Sequence, residues 1–239
     1  MNILVLGATS VIGSEIAAAF SPGNRILLAG RDPRRLREAT ILCREAGAKQ
    51  ITELPYDLGA GTESLARAAI DAGVNAIINV ASATSRLTDD QIPPERLPDY
   101  LLIEISAPLE LIRFLAAAPR DTPLRVLYIS SILAVVRTPR RTVYSSLKAV
   151  HEAALSALAA SDQRVTAQIF RVATIIDPDR HTPKARKLAN AVRRAYDEQQ
   201  PLVTYGLAGR LMAALYFTQP LVFRAAVRLI RVLRGSVRQ

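Results

Sequence analysis

Short apolar runs alternate along the chain with stretches in which apolar residues recur at helical spacing. The short runs are typical of buried strands, and the periodic stretches between them, about 10–15 residues each, are typical of helices. Strands that alternate with helices predict a parallel sheet with helices on both faces. We therefore expect one α/β domain, a doubly wound parallel sheet, over residues 1–206. The predicted strands are residues 2–6, 25–29, 51–54, 76–80, 125–129, 167–171 and 202–205, and the clearest predicted helices are residues 13–20 and 183–199.

Composition narrows the class of protein. The chain has 239 residues, of which 50% are apolar, enough for one full α/β core. A formal net charge of +10 would suggest nucleic acid, but only 5% of the residues are aromatic and no zinc-finger or RNA-binding signature is present. We therefore expect no nucleic-acid partner.

Cysteine and histidine are scarce, and this scarcity bears on metals and on the compartment. A single cysteine, Cys43, cannot form an internal disulfide, and with only His151 and His181 beside it a structural zinc site lacks ligands. We expect no metal, a reducing compartment, and structural or surface positions for these three residues. The first strand begins at about residue 2 with no basic and apolar leader before it, which favours a cytoplasmic protein.

Much of the positive charge lies in a C-terminal tail, residues 207–239. No acidic residue follows Glu198, and the apolar and basic positions of 221–238 fall on opposite sides of a helix. The uncharged run 211–223 is shorter than the roughly 20 residues a membrane-spanning helix needs. The pattern predicts an amphipathic tail that lies on a membrane surface, on the inner face of the membrane, or that packs on the protein's own core or a second subunit. The tail arginines are Arg210, Arg224, Arg228, Arg231, Arg234 and Arg238.

Small residues occupy the junction between the first predicted strand and the helix after it. They are Gly7, Thr9, Ser10 and Gly13, with Ile12 among them. Backbone N–H groups at such a junction, together with the helix dipole, can hold a pyrophosphate. A plain tight turn would use similar residues, but the position at the start of an α/β chain favours a dinucleotide site.

A basic residue follows the second predicted strand, at the position whose side chain selects between NAD(H) and NADP(H). An acidic side chain there binds a ribose 2′-hydroxyl, whereas an arginine accommodates a 2′-phosphate. Here Arg31 precedes Asp32, and Arg34 and Arg35 follow closely. The pattern favours NADP(H) over NAD(H), with a solvated basic loop as the alternative.

A tyrosine and a lysine stand four residues apart in a predicted helix, at Tyr144 and Lys148. This spacing puts both side chains on one face. The ammonium can stabilise a phenolate electrostatically, so that the tyrosine can exchange a proton near neutral pH. Thirteen residues before Tyr144, Ser131 follows a predicted strand, where its hydroxyl can face a substrate carbonyl. A chance pair is the alternative for Tyr144 and Lys148 taken alone.

Together these motifs resemble the short-chain dehydrogenase/reductase family, whose domain has the Rossmann fold. The likeness extends from residue 2 to about residue 205, and Ser131, Tyr144 and Lys148 match the family's catalytic residues in type and order. The resemblance implies that Tyr144 and Lys148 also contact the cofactor. It further implies binding roles for the adenine-side pair Asp57 and Leu58, for Asn79 and Ala81 in a segment similar to Asn-Asn-Ala-Gly, and for Ile175 beside the nicotinamide.

Three positions depart from the family pattern. Val11 replaces a middle glycine of the turn, and Val172 with Ala173 replaces Pro-Gly. Glu104 stands where the family usually has the asparagine of a water-linked proton relay. Its carboxylate can hold the same water, or it can pair with Lys148 and alter the tuning of the tyrosine; both alternatives stay open on the sequence. We include Glu104 among the candidate catalytic residues.

The resemblance implies an NADP(H)-dependent oxidoreductase that acts on a carbonyl or secondary alcohol. Ser131 would bind the substrate oxygen, Tyr144 would exchange its proton, and Lys148 would bind the nicotinamide ribose. A homo-oligomer such as a dimer is expected, and the tail suggests a substrate that is lipid-like. The alternative function is a dinucleotide-binding sensor or scaffold of the same fold without turnover, suggested by Glu104 and by the lost Pro-Gly.

Overall fold

The structure is a computed structural model that describes residues 1–136, 138–174, 176–177, 179–207, 209–211 and 213–214. Its centre is one seven-stranded parallel sheet, which confirms the predicted α/β class. The strands are β1 Asn2–Leu6, β2 Arg25–Gly30, β3 Gln50–Pro55, β4 Ala76–Asn79, β5 Leu124–Ser131, β6 Val165–Val172 and β7 Leu202–Tyr205. Their order in the sheet is β3-β2-β1-β4-β5-β6-β7.

Helices cover both faces of the sheet. They are α1 Val11–Phe20, α2 Pro33–Glu45, α3 Glu63–Asp71, α4 Leu97–Leu101, α5 Ala107–Ala117, α6 Thr142–Ser161 and α7 Pro183–Asp197. Helices α1, α2 and α7 pack on one face, and α3, α5 and α6 pack on the other. A π-helical turn, Leu102–Ser106, joins α4 to α5. Such turns occur often at functional sites.

Strand β1 shows why the apolar runs predict the sheet. Ile3 and Val5 belong to the core under α1, α2 and α7, whereas Leu4 and Leu6 belong to the core under the other helices. A strand buried on both faces needs an unbroken apolar run. Strand β1 pairs with both β2 and β4, so the strand order runs outward in both directions from this point. A crevice opens there at the carboxyl ends of these strands.

The observed bounds of the predicted elements differ by one or two residues at some ends. Helix α1 begins at Val11 rather than at residue 13, because Ser10 Oγ accepts a hydrogen bond from Gly13 N at 3.0 Å and caps the helix there. Helix α7 ends at Asp197 rather than at residue 199.

The predicted amphipathic tail lies mostly outside the described residues, which include its first part only. Residues 207, 209–211, 213 and 214 have helical backbone, and the tail's surface role stays a prediction. Within the part of the chain that the structure describes, no helix combines the length and the apolar character needed to cross a membrane.

Candidate active site

A cavity of about 640 Å³ opens at the carboxyl ends of the central strands, in the crevice beside β1 and β4. The structure brings most of the predicted site residues to its walls. Gly13, Asn79 and Glu104 lie behind the lining residues, and Ile175 is outside the described residues. The predicted residues that line the cavity are Gly7, Thr9, Ser10, Ile12, Arg31, Asp57, Leu58, Ala81, Ser131, Tyr144 and Lys148.

The turn after β1 has no room for side chains at its two glycines. Gly7 has a φ of +80°, and a Cβ there would lie 2.7 Å from the backbone nitrogen of Ala81. A Cβ on Gly13 would lie 2.2 Å from the carbonyl oxygen of Gly7. Val11, which replaces a middle glycine, is buried as the first residue of α1. The N-terminus of α1 therefore faces the cavity across a narrow turn, which suits a pyrophosphate.

The basic residue after β2 is placed as the sequence predicts. Arg31 is exposed and lines the cavity. Asp32 instead caps α2, since its Oδ1 accepts hydrogen bonds from the backbone nitrogens of Arg34 at 2.9 Å and Arg35 at 3.2 Å. The carboxylate that could compete for a ribose is therefore engaged by backbone.

Two of the remaining predicted residues shape the cavity wall through backbone contacts. Asp57 Oδ1 accepts a hydrogen bond from Gly59 N at 3.0 Å. Asn79 is buried, and its Oδ1 accepts from Ala81 N at 3.1 Å. Asn79 thereby fixes the bend after β4 that brings Ala81 against the glycine turn.

The three catalytic candidates meet at one wall of the cavity. Ser131 ends β5, and its Oγ accepts a hydrogen bond from Leu133 N at 3.2 Å. Tyr144 lies in the first turn of α6, and Lys148 follows one turn later, with its Nζ 5.7 Å from the centroid of the Tyr144 ring. The spacing of four thus places both groups on the cavity side of the helix, as predicted.

Glu104 pairs with Lys148, as in the second of the two alternatives left by the sequence. Its Oε2 lies 3.4 Å from Lys148 Nζ, and the two side chains are 1% and 3% exposed. Its Oε1 accepts hydrogen bonds from Ser82 Oγ at 2.6 Å, Ala83 N at 2.7 Å, and both N and Oγ1 of Thr84 at 3.0 and 2.9 Å. The carboxylate therefore joins Lys148 to the chain that follows β4.

Both members of this pair are charged at neutral pH. Burial alone would raise the pKa of Glu104, but the charge of Lys148 and the bonds from Ser82 and Thr84 hold that pKa below its usual value. Burial alone would lower the pKa of Lys148, but Tyr128 and Glu104 hold it above its usual value. The two side chains thus form a buried ion pair.

Sequence reasoning missed a second layer beneath the catalytic candidates. His151, predicted to be merely structural, contacts the backbone carbonyl oxygen of Glu104 through Nδ1 at 2.5 Å and stacks on Tyr128 with ring centroids 3.9 Å apart. Burial lowers the pKa of His151 to about 4, so the ring is neutral and Nδ1 can donate to the carbonyl. The sequence signal for this position is the spacing of three between Lys148 and His151, which puts both side chains on the same face of α6. No comparable signal marks Tyr128, on β5.

The arrangement combines the parts that proton transfer beside a bound dinucleotide requires. One end of the cavity has the narrow turn and an exposed arginine, and the other has a serine hydroxyl, a phenol and an ammonium. A phenol next to a cation can give or take a proton, and a neighbouring hydroxyl can bind the oxygen that receives it.

Comparison with known structures supports the fold. The chain superposes on a short-chain dehydrogenase from Streptomyces avermitilis with a TM-score of 0.77 and 19% identity, covering 98% of this chain and 97% of that one. A short-chain dehydrogenase from Sphingobium yanoikuyae in complex with NADPH gives 0.74 and 22%, covering 92% and 94%. A bulky-bulky ketone specific alcohol dehydrogenase from Comamonas testosteroni gives 0.74 and 19%, covering 92% and 93%.

Sequence comparison identifies the family. No curated protein matches the chain significantly. The family model for short chain dehydrogenases matches residues 1–178, which is more than half of the chain. The chain therefore belongs to the short-chain dehydrogenase family.

Proposed function

We propose that the protein is an NADP(H)-dependent oxidoreductase that interconverts a carbonyl and a secondary alcohol. The observation that carries this proposal is the meeting of Ser131, Tyr144 and Lys148 at one wall of a cavity whose other end is the glycine turn. The ketone-specific alcohol dehydrogenase with the same fold supports the choice of substrate class. A panel of ketones and aldehydes, assayed by NADPH consumption, tests it.

The residues present fit the cofactor. The N-terminus of α1 and the turn around Gly7 would hold the pyrophosphate, Arg31 the 2′-phosphate, and Asp57 with Leu58 the adenine. Lys148 would bind the nicotinamide ribose. When bound, the nicotinamide supplies the redox chemistry by exchanging a hydride with the substrate carbon.

The protein's own residues move the proton. Ser131 binds the carbonyl oxygen of the substrate, and the phenol of Tyr144 donates its proton to that oxygen as the alcohol forms. Lys148, charged and fixed by Glu104 at 3.4 Å, stabilises the phenolate that remains. In alcohol oxidation the same groups work in reverse.

A dinucleotide-binding sensor without turnover is the competing proposal. It was suggested by Glu104, but the ion pair keeps Lys148 charged and leaves Tyr144 at the cavity wall, an arrangement suited to catalysis. A parent protein that binds NADPH yet reduces no member of the carbonyl panel would favour the sensor.

Replacing Arg31 with alanine should remove most of the preference for NADPH over NADH. A charge-assisted hydrogen bond to the 2′-phosphate is worth about 1.5–3 kcal/mol. The ratio of the dissociation constant of NADH to that of NADPH should therefore fall by about 10- to 100-fold. Fluorescence titration of both cofactors measures it. The control is Arg44→Ala, at the far and exposed end of α2, the helix that follows Arg31 in the chain. Equal affinities in the parent, or an unchanged ratio in Arg31→Ala, would contradict the assignment.

The tail suggests where the protein works. We propose that residues 207–239 lie on an anionic membrane surface, which would favour a lipid-like substrate; a homo-oligomer also stays a proposal. The support is the arginine stripe opposite an apolar face. The full chain should sediment with anionic vesicles and not with neutral ones, whereas a chain ending at residue 206 should stay in solution. Binding that ignores both lipid charge and truncation would refute this.

A further inference from the structure

An arginine just before helix α6 lies over the ring of the proposed proton donor. The guanidinium carbon of Arg141 is 4.6 Å from the centroid of the Tyr144 ring. We propose that Arg141 is a positioning residue, which clamps Tyr144 to the loop after β4 at the edge of the cavity. This inference rests on the proposed function and adds to it a residue that sets the geometry of proton transfer.

The guanidinium makes a second contact, with the loop after β4. Its Nη2 donates a hydrogen bond to the backbone carbonyl oxygen of Ser85 at 2.7 Å. Ser85 and Tyr144 both line the cavity, one on the loop after β4 and the other on α6. A single planar group thus contacts two segments that line the cavity, the loop after β4 and the first turn of α6.

The surrounding backbone is tied in the same direction. Asp89, on the loop after β4, accepts hydrogen bonds from Thr142 N at 2.8 Å and Val143 N at 3.0 Å, and its own N–H donates to the carbonyl oxygen of Arg140 at 2.9 Å. These bonds fix the first turn of α6 against the loop. These are backbone contacts, whereas the contact of Arg141 with the ring acts on the side chain of Tyr144.

Stacking explains how the clamp acts on the reaction. A cation over an aromatic face is attracted to it, and a planar guanidinium that is also bonded to Ser85 limits the tilt of the ring. The phenol oxygen is thereby held toward the cavity. Lys148 Nζ lies 5.7 Å from the same ring centroid and provides a second cation beside the ring.

The test compares two adjacent arginines. Arg141→Ala should lower kcat for carbonyl reduction by about tenfold or more, because small displacements of a reacting group cost large factors in rate. KM and the dissociation constant of NADPH should not change. Added guanidinium ion should restore part of kcat by filling the gap. Arg140→Ala is the control. The side chain of Arg140 is 77% exposed, and its Nη2 lies 3.9 Å from Oδ1 of Asp90.

A second measurement does not depend on turnover. Hydrogen exchange of the amides of residues 83–88 should accelerate in Arg141→Ala and not in Arg140→Ala. Arg141→Lys, which keeps a cation and a donor, serves if the alanine variant does not fold, and it should show a smaller loss of kcat. The inference would be overturned if Arg141→Ala kept the kcat and the amide hydrogen exchange of the parent. It would also be overturned if Arg140→Ala lost as much kcat as Arg141→Ala. A parent inactive toward all carbonyls would instead overturn the proposed function, while the exchange data still decide whether the clamp exists.

Discussion

Replacing Tyr144 with phenylalanine should lower the rate of carbonyl reduction by at least about a hundredfold, since the variant loses the proton donor and keeps the ring. The ring still fits between Arg141, 4.6 Å from its centroid, and Lys148. We therefore expect an intact fold and unchanged binding of NADPH. Single-turnover measurements with saturating NADPH report the chemical step directly, and titration of the cofactor shows whether binding is kept.

The matched comparison is Lys148→Met, which should lower both the rate and the affinity for NADPH, because the ammonium serves the phenol and the ribose. Tyr144→Phe should lose only the rate of reduction, whereas Lys148→Met should lose both the rate and the affinity for NADPH. This difference separates proton transfer from cofactor binding. If Tyr144→Phe turned over like the parent, Tyr144 would not be the proton donor, and the cavity would need another one.

The sheet could be predicted from the sequence because its signal is local. Each central strand is buried on both faces, as Ile3 and Leu4 of β1 illustrate, so it appears as a continuous apolar run. The glycine turn and the pair of Tyr144 and Lys148 are also local, being defined by spacing within a few residues. These parts of the site were accordingly predicted in their observed positions.

The environment of Glu104 could not be predicted in the same way. Its partners lie about 20 residues before it, at Ser82 and Thr84, and 44 residues after it, at Lys148. They meet because a π-helical turn, Leu102–Ser106, directs the carboxylate under the cavity, and no spacing rule predicts that turn. The sequence left two alternatives for this residue, and only the packing shows the pairing with Lys148.

Contacts between distant segments were not predictable for the same reason. His151 was predicted to be structural or at the surface, and its contact with the backbone carbonyl of Glu104, on another segment, is a structural one whose partner the sequence does not indicate. No sequence motif marks Arg141, and its proposed role follows only from where Ser85 and Tyr144 lie. Local patterns identify the groups that react, whereas the groups that hold them in place come from distant segments.

Glu104→Gln should be among the most destabilising single changes in the protein. The amide oxygen can still accept the bonds from Ser82 and Thr84, so what is lost is the charge facing Lys148. Breaking a buried ion pair by removing one partner typically costs about 3–5 kcal/mol, because the other charge stays buried without compensation. Urea unfolding at neutral pH should show a loss of this size in the free energy of unfolding.

The double variant Glu104→Gln/Lys148→Met separates this cause from a general packing defect. With both charges removed, no uncompensated ion remains, so the double variant should be more stable than the sum of the two single losses predicts. Additive losses would mean that the two groups are not coupled. Glu63→Gln is the control: Glu63 and Arg67 are closer, at 3.1 Å, but their side chains are 82% and 74% exposed. Because water screens that pair, its loss should hardly change the free energy of unfolding, and burial rather than distance should decide which ion pair matters.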